Sequence, residues 1–235
     1  MNMREYRLGV SHGLPVGMGY FSVSFGFGAM AVSQGLKVWE ATLISLTNLT
    51  SAGQFAGLTV IVAGATILEM ILTQLIINSR YALMSLALSQ RMGQRIGVFP
   101  RILIAFFNTD EIFALAMARH QALTVPYLLG LGTLPILGWT GGTLCGALAG
   151  SVLPVSIRNA LGVMLYGMFL AIVVPPAQRE REILAAVGLA LVCSSLFAWL
   201  PVLQKVSAGI SIVLCTLVSA CICAAVFPVK EEAAV

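Results

Sequence analysis

Eight stretches of predominantly apolar residues dominate this chain, each about 20 residues long and so able to cross a hydrocarbon core of roughly 30 Å. They lie near residues 14–33, 41–63, 65–89, 101–119, 126–149, 159–177, 183–200 and 206–227. The separators are short: Gln34-Gly35, Arg91 to Pro100, Arg119 to Pro126, Pro154 to Arg158, and Pro175-Pro176 followed by Arg179 to Glu182. Charged residues make up 9% of the 235 residues and hydrophobic ones 59%, whereas a soluble domain carries roughly 25% charge. A soluble globular fold is excluded, and no sequence is left over for an extramembrane domain. The expected fold is all-α: one polytopic membrane domain over 1–235 with seven or eight transmembrane helices. Arg4 and Arg7 precede the first apolar run as in a signal peptide. That run continues to Val32 with no small-residue cleavage pattern close behind, so it is expected to be a retained span.

The net charge of +4 is scattered over many loops, which fits a lipid surface rather than a nucleic-acid stripe. All five cysteines sit in apolar runs without CxxC spacing, as packing residues do. His12 and His120 have no companion at metal-ligand spacing. No metal, cofactor or nucleic acid is expected. Trp39 and Trp199 fall near span ends, where indole anchors at headgroup level, while Trp139 lies deeper and is expected to pack internally. The 23 glycines read as close-packing residues rather than hinges.

The second span is interrupted by Thr47-Asn48-Leu49-Thr50-Ser51-Ala52-Gly53-Gln54. Backbone leaves helical geometry at membrane depth only beside protein or a wet cavity, and discontinuous helices form substrate sites in many transporters. A broken or re-entrant segment is therefore expected near 47–54; the competing reading is close packing of two helices through small residues. Orientation hangs on this break. With eight crossings, Lys and Arg divide six against six between the two sides; if the second segment dips in without crossing, they divide seven to five in favour of a cytoplasmic N-terminus. A faint internal echo links Leu14-Pro15-Val16 and Gly28-Ala29-Met30-Ala31 to Leu134-Pro135-Ile136 and Gly146-Ala147-Leu148-Ala149, a weak repeat of 14–89 in 134–200.

Four charges lie well inside apolar segments: Glu69, Arg80, Asp110 and Glu111. A charge at the bilayer centre costs at least about 2.5 kcal/mol on insertion scales, so it marks function by default. Asp110, the single aspartate of the chain, sits midway along its span within Phe107-Asn108-Thr109-Asp110-Glu111-Ile112-Phe113. Arg80 and Asp110 are equally far from the connecting loop, so antiparallel neighbours would bring them to one depth as an ion pair. Such a pair serves cargo or protons, or only fixes helix register. On a continuous helix Asn108 and Glu111 would share a face, while Asp110 and Glu111 would point about 100° apart. Gln74, Asn78 and Tyr81 form a stripe on the preceding span, suited to a ligand or, more plainly, to helix–helix glue. Glu69 lies near its span's end and within reach of the interface.

These segments resemble, over essentially the whole chain, the AzlC-like permeases, large subunits of branched-chain amino acid exporters. The resemblance rests on Leu14-Pro15-Val16 through Tyr20 to Phe25-Gly26-Phe27-Gly28, on Glu40-Ala41 with Ser51-Ala52-Gly53-Gln54-Phe55, and on Arg80-Tyr81-Ala82-Leu83. Its most specific element is Thr109-Asp110-Glu111-Ile112-Phe113-Ala114, similar to the family's Thr-Asp-Glu-x-Phe-Ala signature. Ser22 stands where the family usually has proline, Gly53 where it has serine, and Tyr81 where it has histidine. Any proton relay through that histidine must run otherwise here, or the substrate differs.

The resemblance implies export of leucine, isoleucine, valine and perhaps methionine across a bacterial plasma membrane, coupled to protons. The partner would be a small AzlD-like membrane subunit of about four spans. Asp110, Glu111, Arg80, Asn108, Thr109, Gln54, Asn78 and Tyr81 are the candidate substrate or coupling residues. No ATP motif is present. An enzyme is not expected, because the chain lacks a second aspartate for an aspartyl dyad, a histidine within a span, and the HExxH motif. The alternatives are a non-transporting membrane scaffold and a transporter of another small amphiphilic solute.

Overall fold

The computed structural model describes residues 2–92, 96–150, 156, 170 and 173–227. All regular structure among them is helical: α1 Met3–Ser33, α2 Val38–Thr47, α3 Ser51–Val62, α4 Ile67–Met92, α5 Val98–Phe106, α6 Asp110–Ala118, α7 Val125–Gly150, α8 Arg181–Trp199 and α9 Ala208–Val226. Five of these, α1, α4, α7, α8 and α9, are long and apolar enough to cross a membrane. Of the span expected at 159–177 only residues 170 and 173–177 are described, and these are helical, as are 178 and 179.

The remaining expected spans are not single helices. The segment 41–63 is α2 plus α3, with the break at Asn48–Thr50, where one was expected. The segment 101–119 is α5 plus α6, broken at Phe107–Thr109, which hydropathy did not suggest. Both breaks contain Asn and Thr, whose side chains compete for nearby backbone groups and favour helix caps over helix interiors. Asn48 (φ −139°, ψ 96°) ends α2 in extended geometry, and Thr109 (φ −81°, ψ 169°) precedes α6 likewise. Thr50 Oγ1 accepts from Gly53 N–H at 3.3 Å, capping α3.

The chain divides into two compact units, the first of residues 1–55 and 78–165 and the second of 56–77 and 166–235. In the first, α1 and α7 run side by side. Gly9 meets the backbone at Tyr127, Gly17 that at Leu134, and Gly28 that at Thr143; in return Gly142 meets Phe21 and Gly146 meets Phe25. Contact positions rise together along both chains, so the helices are parallel. Gly9, Gly13 and Gly17 on one helix and Gly138, Gly142, Gly146 and Gly150 on the other recur every four residues. That is the spacing by which small residues let membrane helices touch backbone to backbone. A polar clamp holds the N-terminal ends: Arg119 pairs with Glu5 at 2.9 Å, stacks 3.9 Å over the Tyr127 ring, and His12 Nδ1 lies 3.0 Å from Tyr127 Oη.

Two hairpins lean on this pair. Going along α5 and across its break, the partners on α4 retreat: Arg101 to Ser89 (2.5 Å), Asn108 to Ser85 (3.3 Å), Asp110 to Arg80 (2.9 Å). Then α6 brings the chain back, and Arg91 donates to the carbonyls of Met117 and Arg119. The α5–α6 segment thus enters and leaves at the same end of α4, which is also the end where Arg119 meets Glu5. The α2–α3 hairpin starts from the other end of α1, after a turn in which Gly35 takes φ +100°. At its break Gln54 Nε2 reaches back to donate to the carbonyls of Ile44 and Asn48, and Phe55 packs edge-on against Phe27. Parallel α1 and α7 demand an even number of crossings between their starts. With both hairpins re-entrant, α1 and α4 supply two; a single dip at 47–54 would have made α7 antiparallel.

In the second unit α8 and α9 pack together through a 3-10 turn at Leu203–Lys205. Ser207 caps α9 by accepting from Ile210 N–H at 3.4 Å. Gly209 makes room for Thr73, Val60 and Glu69, and Thr73 donates to its carbonyl at 3.4 Å.

Two outcomes follow. Gly146→Ala forces a methyl into the backbone at Phe25 and should destabilise the detergent-solubilised protein by about 1–3 kcal/mol, read as a lower unfolding temperature, whereas Gly19→Ala, with nothing near it, should not. Single cysteines at Gly97 and Gln121 should react with an impermeant maleimide from the same membrane face, and one at Gln34 from the opposite face; labelling of 97 and 121 from opposite faces would mean that α5–α6 crosses.

Candidate functional site: a broken helix flanked by two carboxylates

The break between α5 and α6 sits near mid-length of its neighbours, beside Tyr20 of α1, Arg80 of α4 and Trp139 of α7. Because α6 begins at Asp110, its first two residues splay to different partners. Asp110 Oδ2 pairs with Arg80 Nη2 at 2.9 Å, with both side chains almost half exposed. Glu111 turns the other way and accepts from the Tyr20 hydroxyl, whose oxygen also lies 2.6 Å from Thr109 Oγ1. Both carboxylates occupy the first turn of α6, where the helix dipole favours negative charge. Tyr20 is held in place by the edge of Trp139, with centroids 5.2 Å apart. Arg80 lies over the Tyr81 ring at 5.1 Å and donates to its hydroxyl at 3.4 Å.

Two buried polar atoms here have no partner among the described residues: Asn108 Oδ1 and Trp139 Nε1. One is an acceptor and the other a donor. Unmet hydrogen-bonding groups in a dry interior each cost on the order of 1–3 kcal/mol, so they are found where something else supplies the partner.

The tip of the α2–α3 hairpin is, by contrast, closed on itself. Gln54 is 1% exposed; its Oε1 accepts from Ser45 (3.1 Å) and its Nε2 is spent on the Ile44 and Asn48 carbonyls. Ser45 is 2.7 Å from Thr143 of α7, and Thr50 donates to Asn78 Oδ1 at 2.9 Å.

The expected ion pair between Arg80 and Asp110 is therefore present, and Thr109, Glu111, Asn108 and Tyr81 gather around it. Asn78 and Gln54 belong instead to the other hairpin, where they tie the break to its surroundings. The expected shared face of Asn108 and Glu111 does not exist, because the helix is interrupted between them. Gln74, Asn78 and Tyr81 lie on the one continuous helix α4, as the stripe requires, with the Gln74 amide beside Gly57 and Met70. Tyr20, Ser45 and Thr143 were not singled out as site residues from the sequence. The available signal was a hydroxyl near the midpoint of an apolar span.

An intramembrane break holding charges, carried among helices long enough to span, defines a multi-pass membrane protein with discontinuous helices of the kind found in secondary transporters. The AzlC protein family matches residues 15–153. An uncharacterized membrane protein of Archaeoglobus fulgidus is 34% identical over 185 residues, covering 78% of this chain and 80% of that protein. Inner membrane protein YgaZ of Escherichia coli is 29% identical over 189 residues, 77% of each chain. An uncharacterized membrane protein of Helicobacter pylori is 23% identical over 201 residues, 83% of this chain and 87% of its own. The chain belongs to the AzlC family. No solved structure matches it.

Replacing Arg80 by Gln or Asp110 by Asn strands one charge, whereas changing both removes the pair. The double variant should accumulate in membranes closer to the wild-type level than either single one, as measured by quantitative blotting of solubilised membranes; equal additive losses would argue that the two do not interact.

Proposed function

We propose that this protein is a secondary transporter, not an enzyme, which exports branched-chain amino acids from a bacterial cell. It is the large subunit of a permease completed by a small AzlD-like membrane subunit, and it draws on the proton gradient. One observation carries the reading: the α5–α6 break holds the carboxylates of Asp110 and Glu111 at mid-span, with a buried unmet acceptor on Asn108 and a buried unmet donor on Trp139 close by. A zwitterion offers an ammonium and a carboxylate to such a pair, and a branched aliphatic side chain suits the surrounding apolar packing. Membership of the AzlC family and the Thr109-Asp110-Glu111 signature support it.

Proton coupling falls to Asp110 and Glu111. Asp110 competes between its proton and Arg80; Glu111 accepts from Tyr20, whose hydroxyl stays hydrogen-bonded when that carboxylate changes state. Hairpins re-entering from opposite ends leave a thin barrier at their tips, the arrangement by which a fixed site meets alternate sides.

Cells loaded with leucine, isoleucine and valine and expressing this chain with a small partner subunit should show efflux that falls when the proton gradient is collapsed. Asp110→Asn should lower efflux per molecule of inserted protein at least about tenfold, the scale of a lost charged hydrogen bond, beyond any fall in membrane abundance. Efflux no greater than in cells without the protein would favour a scaffold.

A further inference from the structure

The two ion pairs of the described residues differ in depth and in cover. Arg119 and Glu5 meet at helix ends, with side chains 8% and 22% exposed. Arg80 and Asp110 meet near the middle of the 26-residue α4, with side chains 46% and 44% exposed. Charge at that depth faces protein or a water-filled cavity rather than lipid, so the open side of this pair is a polar space. Both bonds that Arg80 makes among the described residues leave from Nη2, to Asp110 and to the Tyr81 hydroxyl, and Asp110 is engaged there through Oδ2. Arg80 Nη1 and Nε remain as donors, and Asp110 Oδ1 remains as an acceptor. The Tyr81 ring, its centroid 5.1 Å from the guanidinium carbon, holds the planar fork in place.

We infer that Arg80 and Asp110 together hold the two charged ends of an α-amino acid, its carboxylate on the Arg80 guanidinium and its ammonium on Asp110 Oδ1. The inference rests on the transport reading above and names the groups that grip the cargo's head. A guanidinium edge meets a carboxylate through two parallel hydrogen bonds. One carbon separates the charged groups of an α-amino acid, so they lie side by side, as do those of Arg80 and Asp110 at 2.9 Å. Laid across the pair, the ligand makes four charges that alternate in sign. A ligand with one charge meets only half of the pair, and one whose charges are separated by a chain cannot meet both halves at once. Glu111 does not serve as the second half, because it turns away from Arg80 to Tyr20.

The test is equilibrium binding to the purified full-length protein. L-leucine is compared with 6-aminohexanoate, its isomer with the charges at opposite ends, with isoamylamine, which lacks the carboxylate, and with isocaproate, which lacks the ammonium. The wild-type protein should bind leucine at least about tenfold more tightly than each of the others, the scale of a hydrogen bond to a charged group. Arg80→Gln should weaken leucine and isocaproate about tenfold or more without weakening isoamylamine; Asp110→Asn should weaken leucine and isoamylamine without weakening isocaproate. Where a single variant does not accumulate, the double variant Arg80→Gln/Asp110→Asn, which strands no charge, should insert and lose the preference for leucine over 6-aminohexanoate. A double variant that keeps this preference, or inserted single variants that weaken every ligand alike, would give the open side of the pair to a protein neighbour and overturn the assignment while leaving the transport reading intact. So would a wild-type protein that binds leucine no better than its isomer. A wild-type protein that binds none of the four would remove both the assignment and the transport reading beneath it.

Discussion

Backbone that departs from a helix inside a hydrocarbon layer frees N–H and C=O groups that lipid cannot satisfy. Everything distinctive in this protein depends on how the two breaks meet that demand. At the first, Gln54 is used up entirely on the carbonyls of Ile44 and Asn48 and on Ser45, and Thr50 both caps α3 and reaches Asn78. At the second, Tyr20, Ser85 and Arg80 supply partners from neighbouring helices, but not for every group. The asymmetry separates a sealed tip from one with hydrogen-bonding capacity left over.

The hairpins can lean inward because α1 and α7 form a wall with almost no side chains in its seam. Glycines at four-residue intervals bring the two backbones into contact, where larger residues would hold them apart and widen the space around Tyr20 and Trp139. Parallel packing of these helices also fixes the parity of the crossings between them, and so makes the two breaks alike, both re-entrant or both crossing. Gly132 shows the same economy at closer range: its missing side chain is the space that the Phe107 ring fills, which seats the second break against α7.

Charge placement divides along the same lines. Arg119, Glu5, His12 and Tyr127 clamp the ends of α1, α6 and α7. At the depth of the break Asp110 is held by Arg80, which also leans on Tyr81, and Glu111 is held by Tyr20. A site with these features has a fixed frame and a few titratable groups, which is what alternating exposure of a zwitterion requires.

Apolar run lengths determined from the sequence alone that the chain is helical and membrane-embedded, and the polar run at 47–54 announced the first break. The pairing of Arg80 with Asp110 was also legible, since equal distances from one loop place them level whether the intervening chain crosses or turns back. What sequence could not reveal was the second break, because Phe107-Asn108-Thr109-Asp110-Glu111 reads as charges on a continuous helix until neighbouring groups claim Asn108, Thr109 and Glu111 separately. Nor could it assign Gln54 to the structure rather than the ligand, or bring Tyr20 to Glu111 across 91 residues. Hydrophobicity is a property each residue carries wherever it sits, but the satisfaction of a buried polar group depends on which other helix is beside it, and only the tertiary fold decides that.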